Sequence, residues 1–455
     1  MGATKTDANG GHGPTRRDII RTIGAAGLGA ATAAPLTRRA FAQAKPPMNL
    51  SLWTFENPQQ RPWLHKRIRM FMEQNPNVKV DFQWFTFGDL GKKISVGFAT
   101  GTAPEGFVSQ DWFMPTWLDK ALLAPLDVQR LGYSSVNAFT DDFASAFVKG
   151  AVHDGKAYGF PMWFYGFCNY INTNHFKEVG LDPEKDWPKT WDQFGEVAKR
   201  LTIKDGSRFK RQGFKFAMHA AQWTMIQFNP ILITHGGQWF DASGKCAINN
   251  EAGVKAMTAR ASLARQYGAE DPADSIATNP LPQMDWLKER CSMFWCHPIP
   301  PAAITSQNPK MQSDHYYRPV QYCGVETGKG ISTSYGFNLV INAQAPKDKQ
   351  EVLHDLYKFI MSDLVDCWKE TAPLTLARKS GWTDHSTVKD FPYVNEVLRA
   401  KDEGVFLPRT VVYNELADAT HRGVQKIMLN NADIKATLDE IAAEVDRAST
   451  AYKKG

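Results

Sequence analysis

A strand, a helix and a second strand follow one another just past position 45, and this order constrains the fold more than any other feature. Met48-Asn49-Leu50-Ser51-Leu52-Trp53 alternates with the period of a strand. Pro62 opens a helical stretch with Leu64, Ile68, Phe71 and Met72 on one face, and Asn75-Pro76 stops it. Val78-Lys79-Val80-Asp81-Phe82-Gln83-Trp84 then alternates again. Joins this short make a βαβ unit, whose parallel strands need helical cover on both faces. A helix over about 89–100 ends at Gly101-Thr102-Ala103-Pro104 and leads into a strand at 107–109. The opening of the folded chain is therefore α/β.

At 455 residues the chain exceeds what one hydrophobic core serves, so two domains are expected. An apolar share of 43% and a charged share of 22% are those of an ordinary globular protein. The formal charge of +6 sits mostly at one end. Lys5, Arg16, Arg17, Arg21, Arg38 and Arg39 face only Asp7 and Asp18 there, and the rest carries 47 basic against 45 acidic residues. That balance excludes a basic nucleic-acid binder, which needs a concentrated positive face.

Thr15-Arg16-Arg17-Asp18-Ile19-Ile20-Arg21, a mild apolar run over 22–36 and Ala42-Gln43-Ala44 follow the order of an export signal. The paired arginines resemble a twin-arginine signal. Cleavage is expected after Ala44, with release into the periplasm. The apolar run falls short of the roughly 20 residues of a spanning helix, and no later stretch reaches that length. Cys168, Cys246, Cys291, Cys296, Cys323 and Cys367 are too sparse for a disulfide scaffold, and none shows C-x-x-C spacing. Cys291 and Cys296 could pair or remain buried thiols.

Further along, Gly155-Lys156-Ala157-Tyr158-Gly159-Phe160-Pro161 is a turn-rich crossing before the apolar run 163–171. Thr190 and Gln193 form a capping box ahead of a helix with Phe194, Val197, Ala198 and Leu201 on one face. A helix is expected over 255–267, frequent loops over 271–319, a strand over 331–340 and a helix over 349–361. Ile434, Leu438, Ile441, Ala442 and Val445 align in a terminal amphipathic helix.

Several of these segments, in this order, resemble the extracellular solute-binding protein family 1, the carbohydrate-binding subunits of ABC importers. The segments are Gly101-Thr102-Ala103-Pro104-Glu105, Gly155-Lys156 with Tyr158-Gly159-Phe160-Pro161, and Tyr170-Ile171-Asn172-Thr173-Asn174. Pro188 with Thr190-Trp191-Asp192, Gly236-Gly237 with Asp241 and Gly244-Lys245, and Ser334-Tyr335-Gly336-Phe337 with Ile341-Asn342 complete them. The resemblance implies an α/β, two-lobe periplasmic binding protein fold, each lobe a central β-sheet flanked by helices, with crossing hinge strands. Carried onto this chain, lobe one is 45–160 plus 328–375 and lobe two is 165–324 plus 376–455. The hinges fall near 161–168, 325–330 and 373–378.

Sugars need hydrogen-bond partners for their hydroxyls and flat apolar cover for their C–H faces. Trp53, Glu56 and Asn57 belong to a segment at the C-terminal end of the first strand, where open α/β sheets bind ligands. Asp111 and Trp112 follow another strand in the same way. Trp163 and Tyr165 sit at the expected crossing, and Trp223 precedes a family-like helix. By resemblance, Trp295, His297, Ser334, Tyr335 and Arg409 also face the cleft. Each has a structural alternative: core packing for the indoles, caps or solvated charges for Glu56 and Asp111, surface pairing for Arg409. For Phe82, Trp84, Trp187 and Trp191 the core assignment is preferred.

The sequence holds no H-E-x-x-H, G-x-S-x-G, Walker A or Rossmann glycine pattern, and its 11 histidines lack ligand spacing. No catalytic residue, metal or cofactor is therefore expected. The implied partners are a carbohydrate-like small molecule and ABC permease subunits, with no nucleic acid, and the protein is expected to be a monomer. The alternatives are a binding protein for a polyamine or phosphorylated polyol, or a secreted cofactor-dependent or glycan-cleaving enzyme.

Overall fold

The computed structural model describes residues 46–58, 60–277, 281–297, 299, 301–311, 317–320, 331–362, 377–379 and 404–453. The export signal, Cys323, Cys367, the hinge near 325–330 and most of that near 373–378 lie outside the described residues. In the first sheet β1 (Met48–Phe55) pairs in parallel with both β2 (Val78–Phe85) and β3 (Gly106–Gln110). The helices Arg61–Gln74 and Leu90–Thr100 make the crossovers between them, as the alternation predicts. A small hairpin follows, β4 (Val152–His153) and β5 (Lys156–Ala157). Asp154 and Gly155 turn it with φ of 47° and 71°, the left-handed pair that suits a tight hairpin.

The apolar run 163–171 becomes two strands, β6 (Phe160–Gly166) and β7 (Cys168–Asn172). β6 belongs to the first sheet and β7 to the second, so the chain passes between sheets at Phe167. The second sheet is completed by β8 (Ile203–Asp205), β9 (Arg208–Lys215), β10 (Cys291–Cys296) and β11 (Tyr317–Val320), in the order β11-β7-β10-β9-β8. The chain then returns to the first sheet through β12 (Thr333–Ile341) and β13 (Val405–Phe406). β12 runs antiparallel to both β3 and β6, and parallel to β13. The two passages meet where Phe167 N–H donates to Ser332 Oγ at 2.8 Å and Ser332 Oγ–H donates back to Phe167 O at 2.6 Å.

Helices cover the second sheet, and the boundaries agree with their sequence signals. Thr190 Oγ1 accepts from Gln193 N–H at 3.2 Å, starting the helix Trp191–Leu201, and Gln193 Oε1 reaches back to Lys189 N–H at 2.8 Å. The terminal helices Tyr413–Asn430 and Ile434–Tyr452 pack on each other and on the helices Ala221–Thr234 and Glu251–Arg265. No helix among the described residues is long and apolar enough to cross a membrane.

Two expectations are corrected and one alternative is decided. The loop-rich stretch 271–319 contains β10, an inner strand of the second sheet, buried at all six positions. Cys291 and Cys296 are free thiols at the two ends of that strand. At about 3.3 Å per residue they stand roughly 16 Å apart, beyond the reach of a disulfide. Burial pushes the Cys296 thiol up to about 12, and Cys291 higher still. Phe82 and Trp84 pack only partly against the core, because β2 is the edge strand and leaves one side of each to His65 and solvent.

β12 passes so close to the helix Ser145–Val148 that only glycine fits at position 336. A Cβ there would lie 2.2 Å from the Phe147 ring. Gly336→Ala is therefore expected to cost about 1–3 kcal/mol of stability through overpacking, read as a lower midpoint in urea unfolding. An unchanged midpoint would contradict this packing.

Candidate functional site

Antiparallel pairing of β6 with β12 sets Tyr165 directly opposite Tyr335. Side chains opposite one another on a sheet meet, and the two phenol rings stack at 5.2 Å with 15° between planes. Two residues along β12, Phe337 stacks on Phe55 at the end of β1, with centroids 4.4 Å apart. Phe87, in the loop after β2, and Trp223, in the first turn of the helix Ala221–Thr234, approach to 5.8 Å. Together these rings wall a cavity of about 390 Å³, within the range typical of small-molecule sites.

The rest of the lining is polar. Glu56, Asn57 and Pro58 come from the loop after β1, while Gln283, His297 and Gln307 come from the side of the second sheet. His297 follows β10 and sets its ring against Tyr165 at 5.4 Å. Gln60, buried beside the loop, donates from Nε2 to the Tyr165 hydroxyl and holds that ring against the first helix. No Lys or Arg is among the described residues that line the cavity. Glu56 is the one carboxylate among them, and Arg61 Nη1 donates to both its oxygens at 3.0 Å. Arg61 in turn lies 5.3 Å from the Trp84 ring centroid, which keeps the ion pair at the rim.

Of the residues singled out from sequence, Glu56, Asn57, Tyr165, Trp223, His297 and Tyr335 are brought together in the lining. The others stand behind it. Trp53 lies inside β1 rather than beyond its end, and packs on Phe85 at 4.9 Å. Trp163 shares a face with Tyr165 but is covered by Phe55, Trp63 and Phe337. Trp112 turns back under Tyr335 and stacks on Tyr413 at 5.6 Å. Trp295 is buried with its ring 5.4 Å from Phe167. Ser334 alternates to the face opposite Tyr335 and is wholly buried. These indoles form a supporting layer under the smaller rings that reach the cavity.

Asp111 and Arg409 also support the wall rather than line it. Asp111 is completely buried and accepts the Gly336 N–H at 3.2 Å, which fixes β12 beside Tyr335. Arg409 reaches Asp111 at 3.5 Å and the Ala146 carbonyl at 3.3 Å, with its guanidinium 4.5 Å above Phe406. Burial pushes Asp111 up to about 6, against the opposing pull of Arg409. Behind Trp223, burial lowers His219, whose ring stands 6.0 Å away. No group of three His, Cys, Asp or Glu side chains able to hold a metal occurs among the described residues.

Sequence reasoning missed Phe55, Pro58, Phe87, Phe337, Gln283 and Gln307. Phe337 is two positions from Tyr335, so strand alternation carries a signal for it, as does Phe87 for its place after a parallel strand. The two glutamines had none, since their short helices show no periodic pattern.

The sequence pattern of the family described as Bacterial extracellular solute-binding protein matches residues 54–363. The chain belongs to this family. A binding protein of Brucella abortus (strain 2308) is 21% identical over 391 residues, 85% of this chain and 89% of that protein. A solute-binding protein from Thermotoga lettingae TMO, solved with alpha-D-tagatose, superposes with a TM-score of 0.75 at 18% identity, covering 88% of this chain and 99% of that one. Maltose-bound MalE3 of T. maritima gives 0.73 at 19% identity, covering 88% and 100%. These likenesses establish the two-lobe solute-binding fold for the present chain. The β6–β7 passage and the return into β12 are the connections between its sheets, and the cavity lies beside them.

For Asp111 the folded value exceeds the unfolded one, so its contribution to stability is full below about 4 and is lost as the pH rises through about 6. Asn mimics the protonated form. The stability difference between Asp111→Asn and the wild type should therefore shift in the variant's favour by about 2–3 kcal/mol between pH 4 and pH 7.5. Urea unfolding across that range checks it, and a flat difference contradicts it.

Proposed function

We propose that this solute-binding protein captures a carbohydrate or polyol by hinge closure and delivers it unchanged to an ABC importer permease. The observation that carries the proposal is the lining itself: among the described residues it holds six aromatic rings beside amide and imidazole groups, with no Lys or Arg. Stacked rings cover the C–H faces of a sugar, while Asn57, Gln283, His297 and Gln307 offer directional partners to its hydroxyls. Relatives of the same fold support this ligand class, having been solved with tagatose, maltose, ribitol and D-mannitol.

A phosphorylated polyol would call for Arg or a helix N-terminus at the site, and a polyamine for uncompensated carboxylates. The described lining residues include no Lys or Arg, and Glu56, their one carboxylate, is already held by Arg61. Glycan cleavage needs two facing carboxylates, and the described lining residues include one. We assign the ligand-contact role to Glu56, Asn57, Tyr165, Trp223, His297 and Tyr335. The lobes would divide at the boundaries given above, with removal of residues 1–44 on export to the periplasm and a monomer as the working form. Capture then follows from differential affinity: a ligand that touches both lobes favours the closed arrangement.

Calorimetric titration with D-tagatose, ribitol, D-mannitol and maltose tests this, with one-site stoichiometric binding and full recovery of the ligand as the expected result. Trp223→Ala should weaken that binding by about tenfold or more without unfolding the protein, since the ring stands at the cavity wall. Heatless titration with every member of the panel, or recovery of a chemically altered ligand, would overturn the proposal.

A further inference from the structure

Gln283 and Gln307 reach the cavity from the second lobe, yet the elements that carry them are too short to hold themselves in place. Gln283 sits on the helix Pro282–Leu287, six residues long, and its N-cap Leu281 offers no side-chain bond. Isolated helices of that length do not persist in water, so tertiary contacts decide where it lies.

One contact is ionic and buried. Asp285, on the same turn as Gln283, accepts from Lys215 Nζ at 2.6 Å and from Arg290. Lys215 ends β9 and is wholly buried; it also donates to Asp274 Oδ2 at 2.7 Å, and Gln212 Nε2 donates to the same oxygen at 2.6 Å. The next residue, Trp286, packs on Phe294 at 5.1 Å and Tyr170 at 5.8 Å. The Leu287 carbonyl then accepts from Asn308 Nδ2 at 2.8 Å, immediately beside Gln307. The helix therefore places both amides.

Buried ion pairs add little net stability, and an apolar replacement of similar shape often serves as well or better. What a charged hydrogen bond adds is direction. Trp286 packing, the Arg290 contact and the Asn308 bond hold the helix on the sheet, and the Lys215–Asp285 bond adds a buried directional restraint on its rotation. We propose that Lys215, acting through Asp285, is the positioning residue that aims Gln283 and Gln307 at a ligand in the cavity. This rests on the carbohydrate reading of the cavity, and it assigns specificity to a charge buried in the second sheet rather than to a lining residue.

A mutant cycle tests it. Wild type, Lys215→Arg, the Gln283→Ala/Gln307→Ala pair and the combination of all three are titrated with maltose and D-mannitol as probes. Amide hydrogen exchange over Pro282–Leu287 is measured in the same ligand-free samples, with the helix Trp191–Leu201 as reference. Arg keeps the charge but replaces a point donor by a longer planar fork. Lys215→Arg should weaken probe binding by about tenfold in the wild-type background and by less than about twofold where the two amides are absent. It should also speed exchange over Pro282–Leu287 relative to the reference. Equal weakening in both backgrounds, or unchanged exchange, overturns the proposal. If Lys215→Arg does not fold, Asp285→Asn, which retains shape and an acceptor, takes its place with the same expected pattern. If the wild type binds neither probe, the carbohydrate reading fails at that step. The exchange measurement then judges the anchor alone, and an unchanged rate overturns it.

Discussion

Strand β12 is buried at all nine of its positions and is hydrogen-bonded along both edges, and the rest of the molecule is arranged around that fact. A strand in this position must satisfy every backbone group internally, because no water reaches it. Pairing with β3 ties it to the parallel βαβ unit, and pairing with β6 ties it to the passage into the second sheet. Its register against β6 makes Tyr335 meet Tyr165, and its register against β3, which pairs with β1, sets Phe337 against Phe55. Moving it by one residue would turn both rings to the opposite face. The position of β12 is itself enforced at Gly336, between the Phe147 ring on one side and the Asp111 carboxylate on its N–H.

The cavity is built in two layers as a consequence. Smaller rings and polar groups face the space, and the large indoles of Trp112, Trp163 and Trp295 lie behind them, fully buried. Indoles are the most effective fillers of an irregular gap between sheets, so rigidity of the wall comes from residues that never approach a ligand. The two sides of the cavity also differ. The first sheet and its loops give five of the six rings, Asn57 and a neutralised Glu56, while the side of the second sheet gives Trp223, two amides and an imidazole. In the proposed mechanism, closure of the lobes would bring cover and hydrogen-bonding capacity together around the ligand.

Much of this was legible in the chain before any coordinates. Period-two alternation marked β1 and β2, and Thr190 with Gln193 marked the start of a helix. The order of turn and strand segments pointed to the solute-binding family, whose sequence pattern the chain matches. Aromatic and polar residues after a strand end pointed to Glu56 and Asn57, the expected crossing to Tyr165, a family-like helix to Trp223, and the family resemblance to His297 and Tyr335. The indoles were harder, because a Trp beside polar residues has the same local sequence whether it reaches a cavity or fills the space behind one. The strand β10 was hidden by its flanks, which are rich in Pro, Asn and Gln and mask six buried positions.

The sequence by itself marked β1, β2 and the helices Trp191–Leu201 and Ile434–Tyr452, since hydrophobic periodicity and capping are local properties of neighbouring residues. It also pointed to the class of site, because aromatic and polar residues stand together after strand ends. Only the tertiary structure decided which of those residues share the cavity. That choice depends on strand register, on what stands behind each ring, and on contacts such as that of the buried Lys215 with Asp285 on a six-residue helix. Each is a relation between residues distant along the chain, and such relations leave no periodic trace.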